Sequence, residues 1–112
     1  MRTHTSEISK SEWSHFLDGF SRDHVGWLAT VEVFDGEVGA QTEASGLPLA
    51  GLSADASTRT IWVALAKRAD DHITHTIEHV ARVSLEQSDS NPALQIEDDD
   101  GARTLVRLTR AQ

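Results

Sequence analysis

Residues Asp70–His79 read DDHITHTIEH and carry three of the chain's six histidines, His72, His75 and His79, beside Asp70, Asp71 and Glu78. Imidazole nitrogen and carboxylate oxygen are the donors that divalent transition metals take. They are also groups that exchange protons near neutral pH. The backbone decides which chemistry is open. Wound as a helical turn capped by Asp70 or Asp71, His72, His75 and His79 share one face at i, i+3 and i+7. His72 and His75 could then chelate one ion, with Asp71 or Glu78 as an oxygen ligand. Extended as a strand, Ile73, His75, Ile77 and His79 fall on one face instead. The β-branched Ile73, Thr74, Thr76 and Ile77 favour the strand; the paired aspartates and the three-histidine face favour the turn. The balance predicts a short helical turn over about residues 71–77, followed by a strand.

The metal candidates are therefore His72, His75, His79 and Asp71. The spacing is not the H-E-x-x-H of zinc proteases, and no glutamate stands between the histidines as a base. A structural role ranks first. In it His75 is part-buried and hydrogen-bonded, while His72 and His79 are solvated or paired with carboxylates. Elsewhere, Glu97-Asp98-Asp99-Asp100-Gly101 has the composition of a calcium loop but not its alternating ligand positions, and reads as a solvated hairpin tip. Arg103 and Arg107 share a strand face that can meet Glu97 across that hairpin. No glycine-rich phosphate loop is present.

The elements that would position these groups follow from periodicity. Ser9-Lys10-Ser11-Glu12 has the capping-box pattern. Trp13, Phe16, Leu17 and Phe20 then form one apolar stripe, which predicts a helix fraying out by Asp23. GWLATVEVF is a strand with apolar residues on both faces. DGEVG follows as a hairpin loop, AQTEAS as a polar strand, and GLPLAGL as an interrupted one lying on an edge or at a bend, because Pro48 cannot donate to a ladder. TIWVALA places Ile61, Val63 and Leu65 on one face and Trp62 on the other. ARVSLEQ places Ala81, Val83 and Leu85 inward. SDSNP is a loop, and ALQIE and RTLVRLT flank the DDDG turn. The expected core is Trp13, Phe16, Leu17, Trp27, Val31, Ile61, Val63, Val83 and Leu85. The predicted fold class is α+β: an N-terminal helix packed on a bent antiparallel sheet, or a small β-barrel, of five to six strands, with a split-barrel-like arrangement as the alternative.

At 112 residues the chain is expected to be one domain, 1–112, with 1–8 flexible. A formal net charge of −8 repels phosphate backbones and anionic lipid, so nucleic acid and membrane partners are disfavoured. With no cysteine there is neither a disulfide nor a thiolate ligand. MRTHTSEISK has no apolar segment, so no signal peptide is expected, and no run approaches the about 18 residues of a membrane span. The chain is read as cytoplasmic, with a protein partner or self-association (a homo-oligomer) as the partner class. No cofactor is expected, a divalent transition metal being the alternative. No catalytic constellation stands out. The function read from these features is a binding or accessory, regulatory module rather than an enzyme; the competing class is a metal-binding protein or small metal-dependent enzyme using the three histidines.

The strings GWLATVEV, GLPLAGLSAD, DDHITHTI and RVSLEQ, in this order and spacing, resemble a family of short bacterial proteins known as a domain of unknown function. The resemblance spans about Trp13 to Arg107 and implies no activity, cofactor or site residue. The order of helix, central strands, short helical turn and a strand reading ARVSL is also similar to the split barrel of flavin-binding oxidases. Those hold the flavin phosphate with Lys, Arg and Ser near the short helix. Here DDHITHTI carries two aspartates and no basic residue, a departure that would repel a phosphate.

Overall fold

The computed structural model describes residues 3–37, 39–68, 70–88 and 91–110. Val38 of the DGEVG loop and Asp89 and Ser90 of the SDSNP loop lie outside the described residues. The elements are β1 (Thr3–Ile8), α1 (Trp13–His24), β2 (Leu28–Asp35), β3 (Gly39–Asp55), β4 (Thr60–Arg68), β5 (Asp71–Ile77), β6 (Val80–Ser88), β7 (Asn91–Asp98) and β8 (Arg103–Thr109). The strands make one antiparallel sheet in the order β1-β6-β7-β8-β2-β3-β4-β5.

A short connection forces this sheet to curl. In the sheet order β5 and β6 are separated by five strands, yet only Glu78 and His79 join them. Three Cα–Cα steps hold Ile77 and Val80 within about 11 Å. Six strand spacings across a flat sheet would put them about 29 Å apart. The bend is built into β3, a 17-residue strand that pairs with β2 as far as Pro48 and with β4 from Leu49. Register shifts between Ala29 and Glu32 mark the bulges there, and bulges bend and twist a strand. Gly46 sits in this stretch at φ +67, where a side chain would be strained. AQTEAS and GLPLAGL are therefore one continuous strand, with Pro48 at its bend.

The inner face holds the core. Val31, Leu49, Leu52, Ile61, Val63, Leu65, Val83, Leu94, Ile96 and Val106 are buried there, and α1, packed against β3, adds Trp13, Leu17 and Phe20. Phe16, Trp27 and Leu85 are only partly buried against it. Ala81 is exposed, and Val80 takes the inward position instead, because the β6–β7 register shifts between Val80 and Arg82. The expected capping box is not formed: Ser9 makes no side-chain cap bond. The helix is entered through a 3-10 turn in which the Glu12 amide donates to the Ser9 carbonyl at 2.9 Å. The tighter turn satisfies that amide without the hydroxyl.

Several expectations about the architecture are corrected. There are eight strands, not five to six. Thr3–Ile8 belongs to β1, paired along β6 with Ile8 opposite Val83, although residues 1–8 read as a flexible lead. Its alternation is too polar to be recognised without the partner strand. Residues 71–77 are the strand β5, not a helical turn; pairing with β4 satisfies the backbone of a run whose β-branched residues resist helix. The sheet is also open rather than a closed barrel, since β1 and β5 are its two ends and are not paired to each other. Without the short helix, the split-barrel arrangement loses the element that suggested it.

Candidate functional site

Strand geometry separates the histidines. On β5, Ile73, His75 and Ile77 lie opposite Leu65, Val63 and Ile61 of β4 and are half-buried on the inner face. His72, Thr74 and Thr76 point outward and are exposed, as is Asp71 at the strand's start. His72 and His75, the pair a helical turn would bring together, thus stand on opposite faces of the sheet. His79 is exposed in the turn beyond β5. Among the described residues, no group of three histidine, aspartate or glutamate side chains is placed to hold a metal ion.

What β5 does bring together is a concave opening at one end of the curled sheet. A cavity of about 330 Å³ is lined by His75, Ile77 and Glu78, by Val33 of β2, Glu43 of β3, Asp98 of β7 and Thr104 of β8. Val33 and Thr104 are register partners, so the cavity lies on the inner face, two positions along from the buried pair Val31 and Val106. Nε2 of His75 is buried and meets no hydrogen-bond partner among the protein's atoms. The expectation of a hydrogen-bonded His75 is therefore corrected at that nitrogen. A buried unpaired nitrogen is costly unless something satisfies it. The ionisable side chains around it are carboxylates, from Glu43, Glu78 and Asp98, and the lining has no lysine or arginine.

Beside the cavity, the turns that follow Glu78 and Asp98 are tied together. Arg59 and His79 are the non-glycine residues at positive φ among those described, +54 and +56. They meet at one corner. The Val80 amide donates to the Arg59 carbonyl at 2.9 Å, and the Asp99 amide donates to the His79 carbonyl at 2.9 Å. The Arg59 guanidinium donates to both carboxylate oxygens of Asp99, at 2.8 and 2.7 Å, and to the Val80 carbonyl at 3.3 Å. This two-pronged pair holds the Asp99 carboxyl below the usual carboxylate range and raises the Arg59 guanidinium above its ordinary value. Asp98, whose Oδ1 accepts the amides of Asp100 and Ala102 at 2.9 and 3.0 Å, shapes the neighbouring hairpin tip. The acidic tip is thus an anchored turn, not a merely solvated one. Left-handed backbone at non-glycine residues costs energy and persists where surrounding contacts over-determine it; here those contacts fix the turn that follows His75.

The model of DUF5335, a family of unknown function, matches residues 4–112. The chain belongs to that family. The match takes in the helix and all the strands except Thr3, the first residue of β1, so the curled sheet and its open end belong to the family's matched region. No curated protein and no solved structure gives a significant match.

Sequence reasoning missed most of the cavity. Val33, Glu43 and Thr104 come from three different strands, and nothing in their local pattern marks them. Arg59 was also missed. Its signal was faint: Asp55-Ala56-Ser57-Thr58 folds into an Asx-type turn, with Asp55 Oδ1 accepting the Ser57 and Thr58 amides at 3.0 and 3.4 Å. A tight turn of that kind leaves the following residue to absorb the unusual backbone angle. Of the arginines expected to meet Glu97, Arg103 lies over the Phe34 ring at 5.8 Å and Arg107 reaches Glu32 at 3.6 Å. It is Arg82 that pairs with Glu97, at 3.3 Å.

Proposed function

We propose that this protein is a small cytoplasmic accessory module that acts by binding, and that its site is the open end of the curled sheet around His75. The observation that carries the reading is His75, which lines a cavity of about 330 Å³ and whose buried Nε2 has no hydrogen-bond partner among the protein's atoms. In the tautomer with its proton on Nδ1, Nε2 accepts a hydrogen bond. The surrounding carboxylates of Glu43, Glu78 and Asp98 favour a donor that carries positive charge. The ligand class is an alkylammonium group, free or at the end of a side chain. Its apolar stem would lie on Val33 and Ile77, and the Arg59–Asp99 corner keeps the wall in place before the ligand arrives.

The test is a titration followed by NMR at the His75 imidazole and at the amides of Glu78 and Thr104. n-Butylammonium should shift these signals saturably and acetate should not. His75→Leu should remain folded and lose the response. The same titration with Zn²⁺ examines the metal alternative: a response requiring His72 and His79 as well as His75 would favour it. Absence of any saturable response to the amine at His75 would falsify the proposed site.

A further inference from the structure

We infer that the free edge of β5 is a self-association seam, along which a second copy of this chain pairs antiparallel about a two-fold axis at His75. Two observations on the same strand carry this, independently of the ligand reading. First, β5 is the last strand of the sheet and pairs only with β4 among the described residues, leaving its other edge unpaired. Such an edge is a template for another strand unless it is guarded. β5 contains no proline and no lysine, and the register shift between Ala66 and Arg68 falls at its very start. Second, the sequence is self-complementary about His75. Asp71–His79 reads D-H-I-T-H-T-I-E-H. Turned end to end upon itself, it sets Ile73 against Ile77 and Thr74 against Thr76, with His75 against His75. The palindrome ends at Ile73 and Ile77, because Glu78 and His79 lie beyond β5 in the turn to β6, His79 at φ +56.

The register is selective. Pairing about His75 continues the inner face of one copy into the inner face of the other, so the half-buried Ile73, His75 and Ile77 of both copies line one surface. Centring the pair on Thr74 instead would set Ile73 against His75 and the carboxylate of Asp71 against Ile77, and lose the like-with-like match. Pairing about an inter-residue point would turn the inner face of one copy to the outer face of the other. Residues opposite each other in an antiparallel pair have Cβ atoms about 4.5–5.5 Å apart. The two His75 rings would therefore stand side by side at the axis, where one can donate to the other. This is an isologous contact, which closes as a dimer and does not propagate. Five paired positions make a small seam, so association should depend on concentration.

The experiment uses Thr74 and Thr76, both exposed on the outer face, so neither change disturbs the core. In the seam, residue 74 of one copy faces residue 76 of the other, twice by symmetry. Thr74→Lys with Thr76→Lys sets lysine against lysine; Thr74→Lys with Thr76→Glu sets lysine against glutamate. Sedimentation velocity should find a concentration-dependent dimer for the natural chain. The lysine–lysine chain should dissociate about tenfold more readily, as two like-charge cross-strand pairs predict. The lysine–glutamate chain should return to the natural behaviour or exceed it. A natural chain that stays monomeric at millimolar concentration, or two double variants that dissociate alike, would overturn the seam.

Discussion

At the scale of single residues, the Arg59–Asp99 pair shows how an exposed contact acquires a structural duty. Exposed ion pairs contribute little in general. This one is bidentate and sits where two left-handed residues meet, so its geometry is set by backbone bonds on both sides. Its pH dependence has a definite sign. The Asp99 carboxyl is held below its ordinary value chiefly by the hydrogen bonds from Arg59, which outweigh the opposing effect of desolvation; the charges of Arg59 and His79 add smaller lowering effects. A depressed carboxylate contributes stability above its unfolded pKa and loses it as pH falls through the folded one. The contribution is therefore intact at neutral pH and disappears on acidification below about pH 4. Asp99→Asn should lower the melting temperature at neutral pH, and the difference from the natural chain should narrow as pH is lowered through that range. Thermal melts across pH check both.

At the scale of elements, the bend in β3 decides the shape. The strand passes from one partner to another at Pro48, next to a glycine at φ +67. A Cβ built on Gly46 would meet no heavy atom within 4 Å, so space does not require glycine there; the backbone angle does. Gly46→Ala should cost about 1–2 kcal/mol, the penalty of left-handed backbone for a residue with a side chain. Denaturant unfolding measures it. A cost near zero would mean that the bend is set by the register shifts and Pro48 alone.

At the scale of the whole molecule, the open sheet has unequal parts. β7, β8 and β2 are paired on both sides, and Val31, Leu94, Ile96, Val106 and Leu108 among their inward residues are buried. β1 and β5 are edges, and no β5 residue is fully buried. Opening free energies should follow that order. Amide hydrogen exchange should be slowest in Val31, Leu94, Ile96 and Val106 and fastest among the strands in β1 and β5. If β5 pairs with a second copy, its protection should rise with protein concentration while that of β1 stays unchanged.

The sequence by itself determined the parts that depend on neighbours along the chain. The stripe Trp13, Leu17, Phe20 specified a helix and its buried face, and Ile61, Val63 and Leu65 specified the phase of β4, because each pattern repeats with the period of its own backbone. It also showed the histidine cluster as a place of interest, and the family resemblance that covers the chain. Only the tertiary structure decided between turn and strand at residues 71–77. Both backbones suit that composition, and the choice falls to β4, which supplies the hydrogen-bond ladder. The same decision sent His72 outward and His75 inward, and so changed which chemistry is within reach. The cavity itself was beyond any local pattern. Val33, Glu43, His75, Asp98 and Thr104 share it because a two-residue link makes an eight-stranded sheet curl, and curvature is a property of the assembled sheet rather than of any segment within it.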